Sequence, residues 1–205
     1  MAIRKSADQR KTEVLAATLR LADELGPDRL TTQAVADAVG LTQPGIFRHF
    51  PTKQALWLAV AEDIAEKMTS AWYEALASAE TPMNRIERLI LAQLRQIEAN
   101  PAIPAILFSR ELHTENEQLR RSFLGLLSNF HKTIARELGN ARDAGVLRAD
   151  VDPEDGAVLL TSLVQGLAIR WSLGARGFSM EREGARLLAA QIRLFHPDLN
   201  KENSI

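Results

Sequence analysis

Apolar positions along this chain recur at three- and four-residue intervals, and no segment shows the sustained alternation of a half-buried strand. Val14, Leu15, Thr18, Leu21, Ala22 and Leu25 predict a helix over Asp8 to Leu25, stopped by Gly26-Pro27 because proline cannot continue the ladder. Two short segments flank Gly40. Leu56, Trp57, Val60, Ile64, Met68 and Trp72 then place one face on a long helix from Thr52 to about Ala79. Thr81-Pro82 supplies a hydroxyl cap and a proline at the first helical position for a helix carrying Ile86, Leu89, Ile90, Leu94 and Ile97. Pro101 and Pro104 frame a short helix with Ile106, Leu107 and Phe108. A long amphipathic helix follows from about Glu115 to Ala144, with Gly145 as its C-cap. Asp152-Pro153-Glu154-Asp155 opens an almost wholly apolar helix that Gly174 to Gly177 breaks. Ser179 caps a last helix through Leu187, Leu188, Ile192 and Phe195, and His196-Pro197 ends it. The expectation is an all-α chain of about nine helices, with a polar, frayed tail to Ile205.

Composition removes several function classes. The chain has 205 residues, 46% hydrophobic and 25% charged, which excludes wholesale disorder and suits one large domain or two small ones. It has no cysteine, so disulfides, thiolate metal sites and thiol nucleophiles are impossible. His49, His113, His131 and His196 are never three or four residues apart, so no single turn offers a metal pair. No phosphate loop, nucleotide fingerprint or Ser-His-Asp spacing is present. Neither enzyme activity, nor a metal, nor a cofactor is expected.

Met1 to Lys11 is charged and has no apolar run, unlike a secretory signal. The charge-free run Gly156 to Ile169 is fourteen residues, short of the about 20 that span a bilayer. A cytoplasmic protein with no membrane partner is expected.

The net charge of −1 argues against a wholly basic nucleic-acid coat but hides a division. Residues 1–60 hold eight basic and six acidic groups, whereas 61–205 hold 17 and 20. From Ala38 to Ala61 there is no acid in 24 residues, while Arg48, His49 and Lys53 are present. Arg4, Lys5, Arg10 and Lys11 add a short basic start, suited either to DNA or to a solvated terminus.

The same stretch fits a helix-turn-helix. Two helices crossing over a tight turn need a small residue in the first helix, a residue tolerant of positive φ in the turn, and apolar inner faces. Ala36, Gly40 and the set Val35, Val39, Leu41 and Ile46 meet these needs, and Thr32 and Thr42 are available as caps.

The run Thr31-Thr32, Val35-Ala36, Gly40-Leu41-Thr42 and Ile46-Phe47-Arg48-His49-Phe50-Pro51-Thr52-Lys53-Gln54-Ala55-Leu56 resembles the DNA-binding domain of the tetracycline-repressor (TetR) family. That resemblance implies a helix-turn-helix domain over 1–51 and a helical effector-binding and dimerisation domain over 52–205. It implies DNA contacts from Thr31, Thr32, Thr42, Gln43, Pro44, Gly45, Phe47, Arg48, His49 and Lys53. Thr32 and Thr42 would bind phosphates, as would His49 and Lys53. Gln43 would read adenine, Pro44 and Gly45 would allow close approach, and Arg48 would reach a guanine edge or a phosphate. Phe47 stands where the family usually has tyrosine, which removes a phenol–phosphate hydrogen bond. Gln43-Pro44-Gly45 also leaves fewer side-chain donors than the commoner versions.

The remaining helices suggest pairing and sensing. The helices over 153–174 and 180–195 could form a four-helix bundle with a second copy, matching a palindromic operator. Trp72, Phe108, His113, Phe123, Phe130 and Trp171 are the large groups of the inner helices and candidates to line a cleft for an apolar small-molecule effector. The expected function is a ligand-responsive repressor released from double-stranded DNA by that effector. The competing expectation is a helical interaction protein with a vestigial helix-turn-helix.

Overall fold

The computed structural model describes residues 6–196, and Arg4, Lys5 and the tail from Pro197 lie outside them. The described residues form ten α-helices and no strand: α1 (Ala7–Leu25), α2 (Thr32–Ala38), α3 (Gln43–His49), α4 (Lys53–Ala77), α5 (Pro82–Ala99), α6 (Ala102–Phe108), α7 (Arg110–Glu115), α8 (Glu117–Asp143), α9 (Pro153–Leu173) and α10 (Met180–Phe195).

The ends of these helices follow side-chain chemistry. Ser6 and Gln9 form a reciprocal capping box at α1, and Gly26 closes that helix at φ 85°. Thr52 and Thr81 accept from the Ala55 and Asn84 amides, at 3.0 and 3.3 Å, to open α4 and α5. Asp152 accepts from the Glu154 and Asp155 amides at 2.8 and 3.2 Å, and Ser179 caps α10. Gly145 takes the positive φ expected of a C-terminal glycine.

One helix is absent from the sequence expectation. The chain between the short helix at 102–108 and the long one is not loop but α7, and Glu115 belongs to it. Ser109 caps α7 through the Leu112 amide at 3.0 Å. Asn116 then breaks the helical path at φ −137°, and its carboxamide oxygen accepts from Leu119 N–H at 3.0 Å to start α8. Two capping side chains seven residues apart, Ser109 and Asn116, thus set off a six-residue helix that apolar periodicity does not signal.

Packing separates two compact units, the described parts of Met1–Glu66 with Asn100–Leu124, and Lys67–Ala99 with Gly125–Ile205. The units do not coincide with a division at residue 51, because α6 packs on α1 and the first 14 of the 25 residues of α4 group with the helix-turn-helix. The first unit's core is Val14, Leu30, Val35, Ile46, Leu56 and Trp57. The second unit buries Ile86, Leu89, Ile90 and Leu94 of α5 against α9 and α10. α4 and α8 each contribute to both units.

α9 has 21 residues and a mean hydropathy of 1.3 over its most apolar window, long and apolar enough by composition to cross a bilayer. The fourteen-residue charge-free run understates it, because the helix extends past Arg170 to Leu173. Only 39% of that window is buried. Val158, Leu159, Ile169 and Leu173 of α9, and Leu194 of α10, are exposed.

Candidate nucleic-acid interface

The turn between α2 and α3 is built as its residues require. Ala36 is fully buried, so a larger side chain there would push the helices apart. Leu41 N–H donates to the Ala36 carbonyl at 2.9 Å, closing the turn over Gly40. Gly40 sits at φ 64° with open space around it, so backbone freedom rather than crowding selects glycine. Val35 and Ile46 are wholly buried between the helices and Phe50 is nearly so, which fixes the outer face of α3.

That face carries the expected residues. Thr42 caps α3, its hydroxyl accepting from Gly45 N–H at 3.3 Å, with Pro44 in the first turn. Pro44 and Arg48 are exposed, and Gln43, Gly45, His49 and Lys53 are partly so. Phe47 is 37% exposed, an aromatic left on the surface beside Arg48. Arg48 and Lys53 make no ion pair among the described residues, so both charges remain available to an anion.

The cap of α2 is a correction. Thr31, not Thr32, accepts from the Ala34 amide at 3.1 Å. Thr32 is the first helical residue and is 7% exposed, with its hydroxyl accepting from the Gln43 side-chain amide at 2.8 Å. This bond ties the start of the second helix to the start of the first. No spacing rule signals it, because the partners are eleven residues apart and meet only once the turn has formed.

Comparison with known proteins agrees with this geometry. Residues 14–60 match the model of "Bacterial regulatory proteins, tetR family", and residues 82–195 match "BetI-type transcriptional repressor, C-terminal". The nucleoid occlusion factor SlmA of Vibrio cholerae is 31% identical over 164 residues, covering 80% of this chain and 82% of that protein.

The chain belongs to the TetR family of helix-turn-helix transcriptional regulators.

Two solved structures that share this fold hold different ligands. FadR from Bacillus subtilis, in complex with stearoyl-CoA, matches with a TM-score of 0.77 at 13% identity, over 90% of this chain and 99% of that one. A putative regulator from Saccharomonospora viridis, in complex with choline, matches with a TM-score of 0.77 at 22% identity, over 91% and 96%. An acyl thioester and a small cation share little chemistry, so the TetR fold alone does not choose an effector.

The six aromatic and imidazole candidates fall into separate groups. Trp72 and Phe130 stack with centroids 5.1 Å apart in the second unit. Trp72 Nε1 donates at 2.8 Å to Gln93, a 9%-exposed amide on α5 that apolar periodicity passes over. Trp171 is buried in the same unit, beneath the Arg176 guanidinium. His113 and Phe123 meet edge-on at 5.8 Å in the first unit. Phe108 is 47% exposed at the end of α6 and is therefore not an inner group.

Proposed function

We propose that this TetR-family regulator acts in the cytoplasm as a ligand-responsive repressor, a homodimer that binds a palindromic operator and leaves it when a small molecule binds. The single observation that carries the reading is the outer face of α3. It presents Gln43, Pro44 and Arg48 in sequence on a helix whose opposite side is locked into the core by Ile46. Thr31, Thr42, His49 and Lys53 flank that face and supply phosphate contacts. Gly45 permits close approach, and Phe47 offers apolar contact in place of a phenol. Thr32 holds one amide hydrogen of Gln43, which leaves the carbonyl and the other N–H for the two-point recognition of adenine.

Dimerisation through α9 and α10 is supported by their uncovered apolar surface. Leu163, Leu187, Ala190 and Leu194 line a groove of about 480 Å³ beside the exposed Leu159. A second copy presenting the same surface would cover both in a two-fold arrangement. The test is sedimentation with Leu159→Glu and Leu194→Glu. The wild-type protein should be a dimer, and the double variant a folded monomer that loses the palindrome while keeping weak half-site binding. A dimer unaffected by both substitutions would sink the interface.

The effector is the finer part of the reading. His113 with Phe123, and Trp72 with Phe130 and Gln93, are the candidate clusters for contacting it. The similarity to SlmA supports a second reading, nucleoid occlusion. That reading expects binding sites scattered over the chromosome, and the repressor reading expects them beside one or a few genes.

A further inference from the structure

α7 is six residues long and buries one apolar side chain, Leu112. A helix that short does not hold itself together in water, so bonds outside its own ladder must keep it in place. The residues at its two ends supply them. Ser109 and Asn116 are polar, yet only 7% and 6% exposed. Each uses one oxygen as a helix cap, Ser109 for the Leu112 amide at 3.0 Å and Asn116 for the Leu119 amide at 3.0 Å. Capping requires nothing more, but each side chain also makes a second bond across the fold. The Ser109 hydroxyl donates to the Asp28 carboxylate, 81 residues away in the chain. Asn116 Nδ2 donates to the Gln54 carbonyl at 3.1 Å, 62 residues away.

These long-range bonds end on either side of the helix-turn-helix. Asp28 lies three residues before Thr31, the cap of α2, and Gln54 follows Lys53 in the first turn of α4. The segment between the two anchors is α2, the turn and α3. Both anchors are held from opposite ends of one short helix, and all four bonded residues belong to the first unit. A hydroxyl on a carboxylate is a stronger bond than one between neutral groups. Asn116 has its oxygen engaged at Leu119, so only its amide nitrogen faces Gln54, and the roles are fixed. Base reading requires side chains held to within about 0.5 Å, whereas phosphate contacts carry no sequence information and tolerate displacement.

We infer that Ser109 and Asn116 are positioning residues for DNA recognition. They grip the chain on both flanks of the helix-turn-helix and hold α2 and α3 in the pose in which Gln43 and Arg48 meet base edges. The inference rests on the DNA-reading role of α3 and gives α7, which carries none of the DNA contacts, a part in it.

The test uses full-length variants that open each clasp and leave the caps. Asp28→Ala removes the acceptor of Ser109, and Asp28→Asn removes the same charge but keeps an acceptor oxygen. Asn116→Ser keeps a capping oxygen for Leu119 and has no donor long enough to reach Gln54. Amide hydrogen exchange without DNA should quicken about fivefold or more at Val35 and Ile46 in Asp28→Ala and Asn116→Ser. It should stay near wild type in Asp28→Asn and be unchanged in every variant at Leu89 and Leu94 of the second unit. Affinity for a duplex selected with the wild-type protein should fall about fivefold more than affinity for a scrambled duplex, again with Asp28→Asn near wild type. Equal quickening in both units would reduce the clasps to general stability and overturn the inference. So would unchanged exchange at Val35 and Ile46, an unchanged ratio of selected to scrambled affinity, or an Asp28→Asn variant as impaired as Asp28→Ala. Wild-type protein that binds both duplexes alike would overturn it together with the DNA-reading role, and quickened exchange at Val35 and Ile46 would tell that failure from a failure of the clasps.

Discussion

Under the proposed reading, Thr32 positions the Gln43 side chain for base recognition. Thr32 is buried and its hydroxyl holds the Gln43 amide before any DNA arrives. Replacing Thr32 by valine keeps the shape and removes the acceptor. The expected effect is a loss of roughly tenfold in affinity for the specific site, with relaxed preference at the base pair that Gln43 reads and little change on unrelated duplex. Competition binding with operators mutated at that pair measures it, and equal loss on all sequences would assign Thr32 to folding alone. This interaction was not legible in the sequence. A threonine next to a helix start reads as a cap whichever of Thr31 and Thr32 does the capping, and only the turn's geometry decides. Gly40, Ala36 and Thr42 were legible because each answers a local demand, for positive φ, for close crossing and for a cap.

Among elements, α10 depends on a residue that has no side chain. Gly184 lets the helix lie close to α5, and a β-carbon there would overlap Leu94 Cδ1, in a side chain with no exposed surface. Alanine at 184 gains helix propensity of about 1 kcal/mol, but overpacking costs about 1–3 kcal/mol, so the net effect is destabilising. Gly139 on α8 has nothing within 4 Å of such a carbon. Gly139→Ala should therefore raise the melting temperature by about 2–4 °C where Gly184→Ala lowers it, as thermal unfolding of the two variants checks. Long helices were readable from periodicity because each buries a continuous stripe, as α4 does with Leu56, Val60, Ile64 and Met68. α7 was not, since it is six residues long and buries only Leu112. Gln93 was missed for a related reason: its burial answers Trp72 on another helix, and a one-dimensional pattern holds no trace of that partner.

At the scale of the whole molecule, the chain combines a net-basic helix-turn-helix segment with helices α9 and α10 that leave apolar side chains exposed. The near-neutral total charge is the sum of these parts, not a property of either. The central claim is specific recognition of duplex DNA by α3. Equilibrium binding of the wild-type protein and Arg48→Ala, to a palindrome selected from random duplexes and to a scrambled one, at several salt concentrations, tests it most directly. Tight, palindrome-specific binding that weakens steeply with salt is expected. Arg48→Ala should lose at least tenfold and, if Arg48 meets a phosphate, flatten the salt slope by about one unit per half-site. Equal, weak affinity for both duplexes, unchanged in Arg48→Ala, would contradict the account.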